Sequence, residues 1–379
     1  MAAGCAPAGT ESLEGGPLAN TPGSSLKGDA LPASPTAAER QGKADGYDPR
    51  DDYPASYGFT NPFADAGVVP GEFESVRELL IGWGAGAYGN EQFFADIIAA
   101  ASTEAPVTIV VPDQQTANTL DYDLERVGAD LGNVRYLLFS VDSIWMRDYG
   151  PLGVVTGTGA RATVDPRYYW GRWMDDYFPT ALAGARGQSV TRPPIEMEGG
   201  NFLSDGAGRC VTTDANTWRN AAFGYTEADI KDLFRAYYGC QQTTIVPAME
   251  NEGTGHVDMS VHITAPGEVI VGKYSANDDY TNAQRLDVTA ARLEASGFLV
   301  RRVGMPRNGG QTVFRSYTNA LAVNGKVLVP VYAADTRFEA ATLDVFAEAY
   351  PGRDIVPIPS DGIIQMAGAV HCVTMTFGR

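Results

Sequence analysis

The order of apolar runs, turns and helical patterns predicts an α/β fold in which five ββαβ units form a pseudo-fivefold ring around one central site. Three observations carry that prediction. A grammar of strand, Gly-bearing turn, strand, amphipathic helix and strand recurs three times after residue 197. Two looser copies precede it. An apolar C-terminal run, 369–375, supplies the strand that the N-terminal copy lacks, so the last strand is expected to close onto the first.

In chain order, residues 1–50 are rich in Ala, Gly, Pro, Ser and Thr and show no apolar periodicity. Such a segment cannot bury enough surface to offset chain entropy and is expected to be a disordered tether, with 51–379 forming a single domain. The opening Ala2-Ala3-Gly4-Cys5 is similar to the small-residue box of bacterial lipoproteins. It points to a lipid anchor at Cys5 and to export to the surface or periplasm, with the cytoplasm as the alternative. No stretch reaches the ~18 apolar residues of a membrane span.

The first unit is expected to place a strand at Glu78–Trp83, a helix over about 92–101 and a strand at Val107–Val111. The second, irregular unit covers Val134–Arg167. The third runs Asn201–Ser204, a turn at 205–208, Arg209–Thr213, a helix over Glu227–Tyr238 and Thr243–Pro247. The fourth runs His256–Thr264, a Pro266-Gly267 turn, Glu268–Lys273, a helix over Asn282–Ser296 and Phe298–Val303. The fifth runs Asn319–Val323, an Asn324-Gly325 turn, Val327–Pro330, a helix over Arg337–Ala349 and Asp354–Ile358. An Asn-Gly pair between apolar runs is a hairpin signal in which both residues are expected at positive φ.

At 44% hydrophobic and 10% aromatic residues the chain can bury a large core. Lys and Arg number 28 against 46 Asp and Glu, a net charge of -18. That balance argues against nucleic acid or an anionic membrane as partner and is compatible with a cationic substrate. The four cysteines, Cys5, Cys210, Cys240 and Cys372, lack metal-binding spacing, so zinc is not expected. Cys210 and Cys240 are read either as a bridge or as buried thiols.

Polar residues stand where strand-like segments begin: Asp148, Glu198, His256 with Asp258, Asn319 and Cys372. In a ring these positions would face the axis, bringing together a thiol, an imidazole and several carboxylates. That set can supply a nucleophile, a proton carrier and a clamp for a cation.

The strings W-M-R-D-Y-G-P, E-G-G-N, G-H-V-D and H-C, in this order, resemble the guanidine-modifying, or pentein, superfamily. More narrowly they resemble the family of Porphyromonas-type peptidylarginine deiminases and agmatine deiminases, from about Phe73 to the C-terminus. The resemblance implies a five-bladed α/β propeller and hydrolysis of a guanidinium group through a thiouronium on Cys372, with no metal or organic cofactor. It implies His256 as acid and base, Asp148 and Asp258 as guanidinium ligands and Glu198 as the group that orients His256. Trp145 matches a substrate-lining Trp and Asn319 a contact to the substrate backbone. Arg172 matches one of two Arg that hold a substrate carboxylate, and Trp170 stands where the other would be.

His371, taken as strand, would point away from Cys372 and pack. Because Gln365–Val370 precedes His371-Cys372 without the several glycines usual in agmatine deiminases, arginine in a peptide or protein is the expected substrate. Agmatine is the alternative, and an amidinotransferase or a non-catalytic surface binding module stands behind both.

Overall fold

The computed structural model describes residues 9–13, 30–44, 58–65, 67–169, 171–308, 310 and 312–378. The fold is mixed α/β. Among the described residues the strands form five sheets, one of five strands and four of three.

The five-stranded sheet has the order β1 (Thr10–Ser12), β4 (Val134–Leu138), β3 (Val107–Val111), β2 (Glu78–Gly82) and β17 (Thr374–Phe377). Strands β1 to β4 run parallel, while β17 lies antiparallel to β2 with Thr374 opposite Ile81. The C-terminal strand therefore does return to the first unit. Residues of β2 and β3 such as Leu79, Ile81, Val107 and Ile109 are fully buried, as expected of parallel strands covered on both faces. Helices α2 (Glu91–Ser102) and α3 (Gln114–Arg126) connect these strands.

The other sheets each combine an antiparallel hairpin with a parallel return strand after a helix. They are β5 (Leu152–Val155), β6 (Arg161–Val164) and β7 (Ser189–Thr191); β8 (Leu203–Ser204), β9 (Arg209–Thr213) and β10 (Gln242–Val246); β11 (Val261–Ala265), β12 (Glu268–Lys273) and β13 (Leu299–Gly304); and β14 (Leu321–Val323), β15 (Lys326–Val331) and β16 (Asp354–Pro359). Their helices are α5 (Trp173–Ala185), α7 (Glu227–Tyr238), α8 (Tyr280–Ala295) and α9 (Glu339–Ala349).

Helix α7 starts with a reciprocal Thr226–Asp229 capping box and stops at Gly239, whose φ of 71° is left-handed. A Cβ at Gly239 would meet the Gly67 carbonyl at 1.8 Å, so only glycine fits. Cys210 and Cys240 form a disulfide joining the start of β9 to the approach to β10, which settles the open pairing.

Three expectations need correction. The second unit is not Val134–Arg167: β4 joins the first sheet, and the unit is β5, β6, α5 and β7, ending at Thr191. An apolar strand carries no mark of which sheet will take it, and β4 finds its partner in β3. In the Asn324-Gly325 hairpin only Asn324 takes positive φ, at 45°. Its side chain bonds Val76 and the Glu104 carbonyl, and the Gly325 N–H bonds the Glu104 carboxylate, so tertiary contacts set the turn.

The N-terminal tether is not unstructured throughout. Residues 10–12 pair with β4, and 30–44 lie against the domain with a short helix, α1 (Ala37–Ala44). Polar segments of this kind order where their backbone groups find partners, as Ala33 N–H does on Met366 O. Cys5 lies outside the described residues. Among the described residues no helix is long and apolar enough to cross a membrane.

Candidate active site

The predicted polar residues do converge, but from turns rather than strands. Asp148 is on the one-turn helix α4 (Met146–Tyr149) before β5. Glu198 caps a 3-10 turn, Gly199–Asn201, before β8, and His256 caps another, Val257–Met259, that carries Asp258 before β11. Asn319 sits in the bend before β14, and Cys372 in the turn before β17.

Local bonds fix these turns. Asn201 Oδ1 accepts from Thr213 N and Val257 N, tying the E-G-G-N string to the His256 turn. Glu252 accepts from Thr254 and Gly255, shaping the loop into His256. The Arg147 N–H donates to Cys372 O at 3.1 Å. A Cβ at Gly200 would stand 2.5 Å from His256 Nδ1 and 2.7 Å from Asp148 Oδ1, so glycine is needed there for the two turns to approach.

Cys372 is fully buried. Its Sγ lies 3.1 Å from Asn319 Nδ2 and 3.6 Å from Asp258 Oδ2. Donor atoms of Cys372, Asp258 and His256 all fall within 4.8 Å of one another. Burial pushes the thiol well up, and Asp258 and Asp148 add to the rise. Asn319 Oδ1 accepts the N–H groups of Ala369, His371 and Cys372 at 3.1 to 3.3 Å. With both ends of its amide engaged by the Cys372 turn, Asn319 braces that turn, and its side chain is not turned to a substrate backbone as expected.

His256 bonds Glu198 through Nε2, and its Nδ1 stands 3.6 Å from Asp148 Oδ1. Burial opposes the imidazolium, but Asp148 and Glu198 outweigh it and raise its pKa to about 9. Glu198 also bonds Arg219. Burial raises its carboxyl, yet Arg219 and His256 bring it down to about 2. Asp148 is raised to about 7, chiefly by burial. Four buried atoms here make no hydrogen bond within the protein: Asp148 Oδ1 and Oδ2, Asp258 Oδ1 and His256 Nδ1. Acceptors so placed fit a planar cationic donor.

Several residues of weight carried no signal that sequence reasoning used. His371 is no passive neighbour: Nδ1 bonds Asp258 Oδ2 at 2.7 Å and Nε2 bonds Glu72 Oε2 at 2.5 Å. In a turn, unlike a strand, His371 and Cys372 both reach Asp258. Burial and Arg147 work against its charge, and Glu72 with Asp258 prevail, so its pKa is raised. Glu72 in turn bonds Arg147. The adjacency of His371 to Cys372 was the one available clue.

Trp145 is fully buried and its Nε1 donates to Leu31 O at 2.8 Å. A Cβ at Gly368 would meet both the Trp145 ring and Cys372 Cβ, so Trp145 stands against the Cys372 turn. Arg172 is also fully buried, and its guanidinium is engaged by Glu39, Tyr168 Oη and the carbonyls of Pro32 and Ser34. Its expected role as a free anchor for a substrate carboxylate is corrected accordingly: the chain supplies its own carboxylate. Trp170 lies outside the described residues.

The family model for Porphyromonas-type peptidyl-arginine deiminase matches residues 68–377. The chain belongs to that family. Its members act on guanidino groups. A candidate agmatine deiminase of Vibrio parahaemolyticus is 26% identical over 83% of this chain and 98% of its own. Among solved structures, the agmatine deiminase of Enterococcus faecalis superimposes with TM-score 0.72 at 21% identity, over 84% of this chain and 99% of that one. A candidate arginine deiminase from Porphyromonas gingivalis gives 0.73 at 20%, over 82% and 98%. These similarities establish the shared fold of the family.

Proposed function

We propose that this protein hydrolyses the terminal guanidino group of a small cationic substrate, agmatine foremost, to a urea and ammonia. The observation that carries the reading is the set of unpaired buried acceptors on Asp148 and Asp258 beside His256 Nδ1 and the Cys372 sulfur. We read the five sheets as five blades of one ring, since each of the five polar turns leads into an edge strand that lies antiparallel to its neighbour in its own sheet.

In this reading Asp148 and Asp258 take the guanidinium N–H groups and set its carbon against Cys372. The incoming cation favours ionisation of the thiol that burial otherwise resists. Sulfur adds to carbon, and one C–N bond breaks as protonated His256 gives its proton to departing ammonia. His256 then takes a proton from water, whose oxygen adds to the same carbon, and the sulfur leaves as the urea forms. Glu198 keeps His256 charged and oriented.

Agmatine, the alternative of the sequence reading, now leads over arginine in a peptide. The similar proteins bearing that name support it, and so does the engagement of Arg172 by Glu39. The family description keeps a peptide substrate as the second reading. Ammonia release from agmatine, free arginine and peptides with internal or C-terminal Arg decides between them. Turnover of agmatine above the rest is the expected result; peptide turnover alone would install the second reading, and no release from any would sink both.

We also propose export, supported by the Cys210–Cys240 disulfide, since such bonds persist in oxidising compartments. Intact-mass analysis after thiol alkylation of protein from its own cell tests this. Free thiols at both positions would count against it.

A further inference from the structure

The segment 31–40 packs beside the candidate site and is tied at several points to residues that flank it. Trp145 Nε1 bonds Leu31 O at 2.8 Å, Tyr169 Oη bonds Ala33 O at 3.1 Å, and Ala33 N bonds Met366 O at 3.0 Å. The strongest tie is ionic. Arg172 Nε bonds Glu39 Oε1 at 2.7 Å and Nη2 bonds Glu39 Oε2 at 3.3 Å, a two-pronged carboxylate pair with both side chains nearly out of solvent. Nη2 also reaches the carbonyls of Pro32 and Ser34, and the guanidinium lies over the Tyr169 ring at 4.8 Å.

Beside this pair is a cavity of about 280 Å³. Pro35, Glu39 and Arg40 line it from the segment, and Tyr169, Trp218 and Glu198 from the domain. Glu198 holds His256, so the cavity adjoins the reacting groups and is suited to the part of a substrate remote from its guanidinium. Arg172 is buried behind Glu39, so a substrate carboxylate arriving here would meet the Glu39 carboxylate, with the guanidinium behind it already paired.

We propose that Glu39 is a specificity-determining residue: by occupying Arg172 with the chain's own carboxylate, it turns the pocket against substrates that carry a carboxylate and toward those ending in an amine or a neutral amide. The inference rests on the guanidine-hydrolase reading above. It differs from an ordinary structural ion pair in its consequence, because breaking it should create a function: Arg172 becomes available to an acid.

The test compares N-acetylarginine with N-acetylargininamide, which differ only at that terminus, and adds agmatine as a third substrate. The wild-type protein is expected to favour the amide and agmatine. Glu39→Gln keeps the side chain's size and removes its charge; it should raise the acid-to-amide ratio of kcat/KM by about 10-fold or more, while Glu39→Asp returns toward wild type. Should Glu39→Ala fail to fold, Glu39→Gln carries the test. A folded Glu39→Gln protein whose ratio stays within about twofold of wild type overturns the inference.

Calorimetric binding of the acid and the amide to Cys372→Ala and to Cys372→Ala/Glu39→Gln reads the same ratio without turnover. A wild-type protein that releases no ammonia from any guanidine defeats the proposed function, and the binding ratio still decides the role of Glu39.

Discussion

Cys372, Asp258 and Asp148, which we take as the floor of the proposed site, are held by turns that each lead directly into a strand; Arg172, which we take as part of its mouth, is held by a segment, 32–39, that belongs to no sheet. The floor is cross-braced by buried bonds, among them three backbone N–H groups on Asn319 and His371 between two carboxylates. The mouth depends on one ion pair and a few carbonyls. Groups that must meet a reacting carbon within tenths of an ångström need rigid elements behind them. A wall that only sorts substrates can be made from a segment whose sequence is free to change. The difference teaches that chemistry and selectivity can be altered separately here.

The largest effect that would sharpen this contrast is at the proposed nucleophile. Cys372→Ala should lower kcat by about 10⁴-fold or more while circular dichroism and the melting temperature remain native-like. Activity within tenfold of wild type would remove Cys372 from the reaction. Asp148→Asn should cost about 10³-fold in kcat/KM, with stability unchanged or raised, because a buried carboxylate without a hydrogen-bond partner is replaced by a neutral amide. A loss no greater than that of Glu39→Gln on agmatine would break the division between floor and mouth.

Asn319→Ala tests the brace. Three buried N–H groups would lose their acceptor, so the protein should lose about 1–3 kcal/mol and kcat should fall more than KM changes. A change confined to KM would return Asn319 to the substrate-contact role. The smallest effect is in pH. Asp148, raised to about 7, is charged only above that value, and His256, raised to about 9, keeps its proton only below that value. The kcat/KM profile should therefore rise through about pH 7 and fall through about pH 9. A flat profile from pH 6 to 10 would show that these groups do not titrate in the free protein.

What the sequence by itself determined is what neighbouring residues encode. The ββαβ grammar follows from periodicity and turn chemistry within some tens of residues, and units three to five sit within a few residues of their expected places. The set that the fold brings together was also legible, because Asp148, Glu198, His256, Asp258 and Cys372 lie in short distinctive strings.

Only the tertiary structure decided the rest. The sheet that received β4, the role of His371, the service of Asn319 to the Cys372 turn and the pairing of Glu39 with Arg172 all depend on partners far along the chain. A charged or amide side chain does not announce which distant group will satisfy it. That choice is made by burial, which leaves each polar atom to find whatever partner the fold brings within reach. The N-terminal segment shows this most plainly: its composition argues for disorder, and its carboxylate and carbonyls find Arg172.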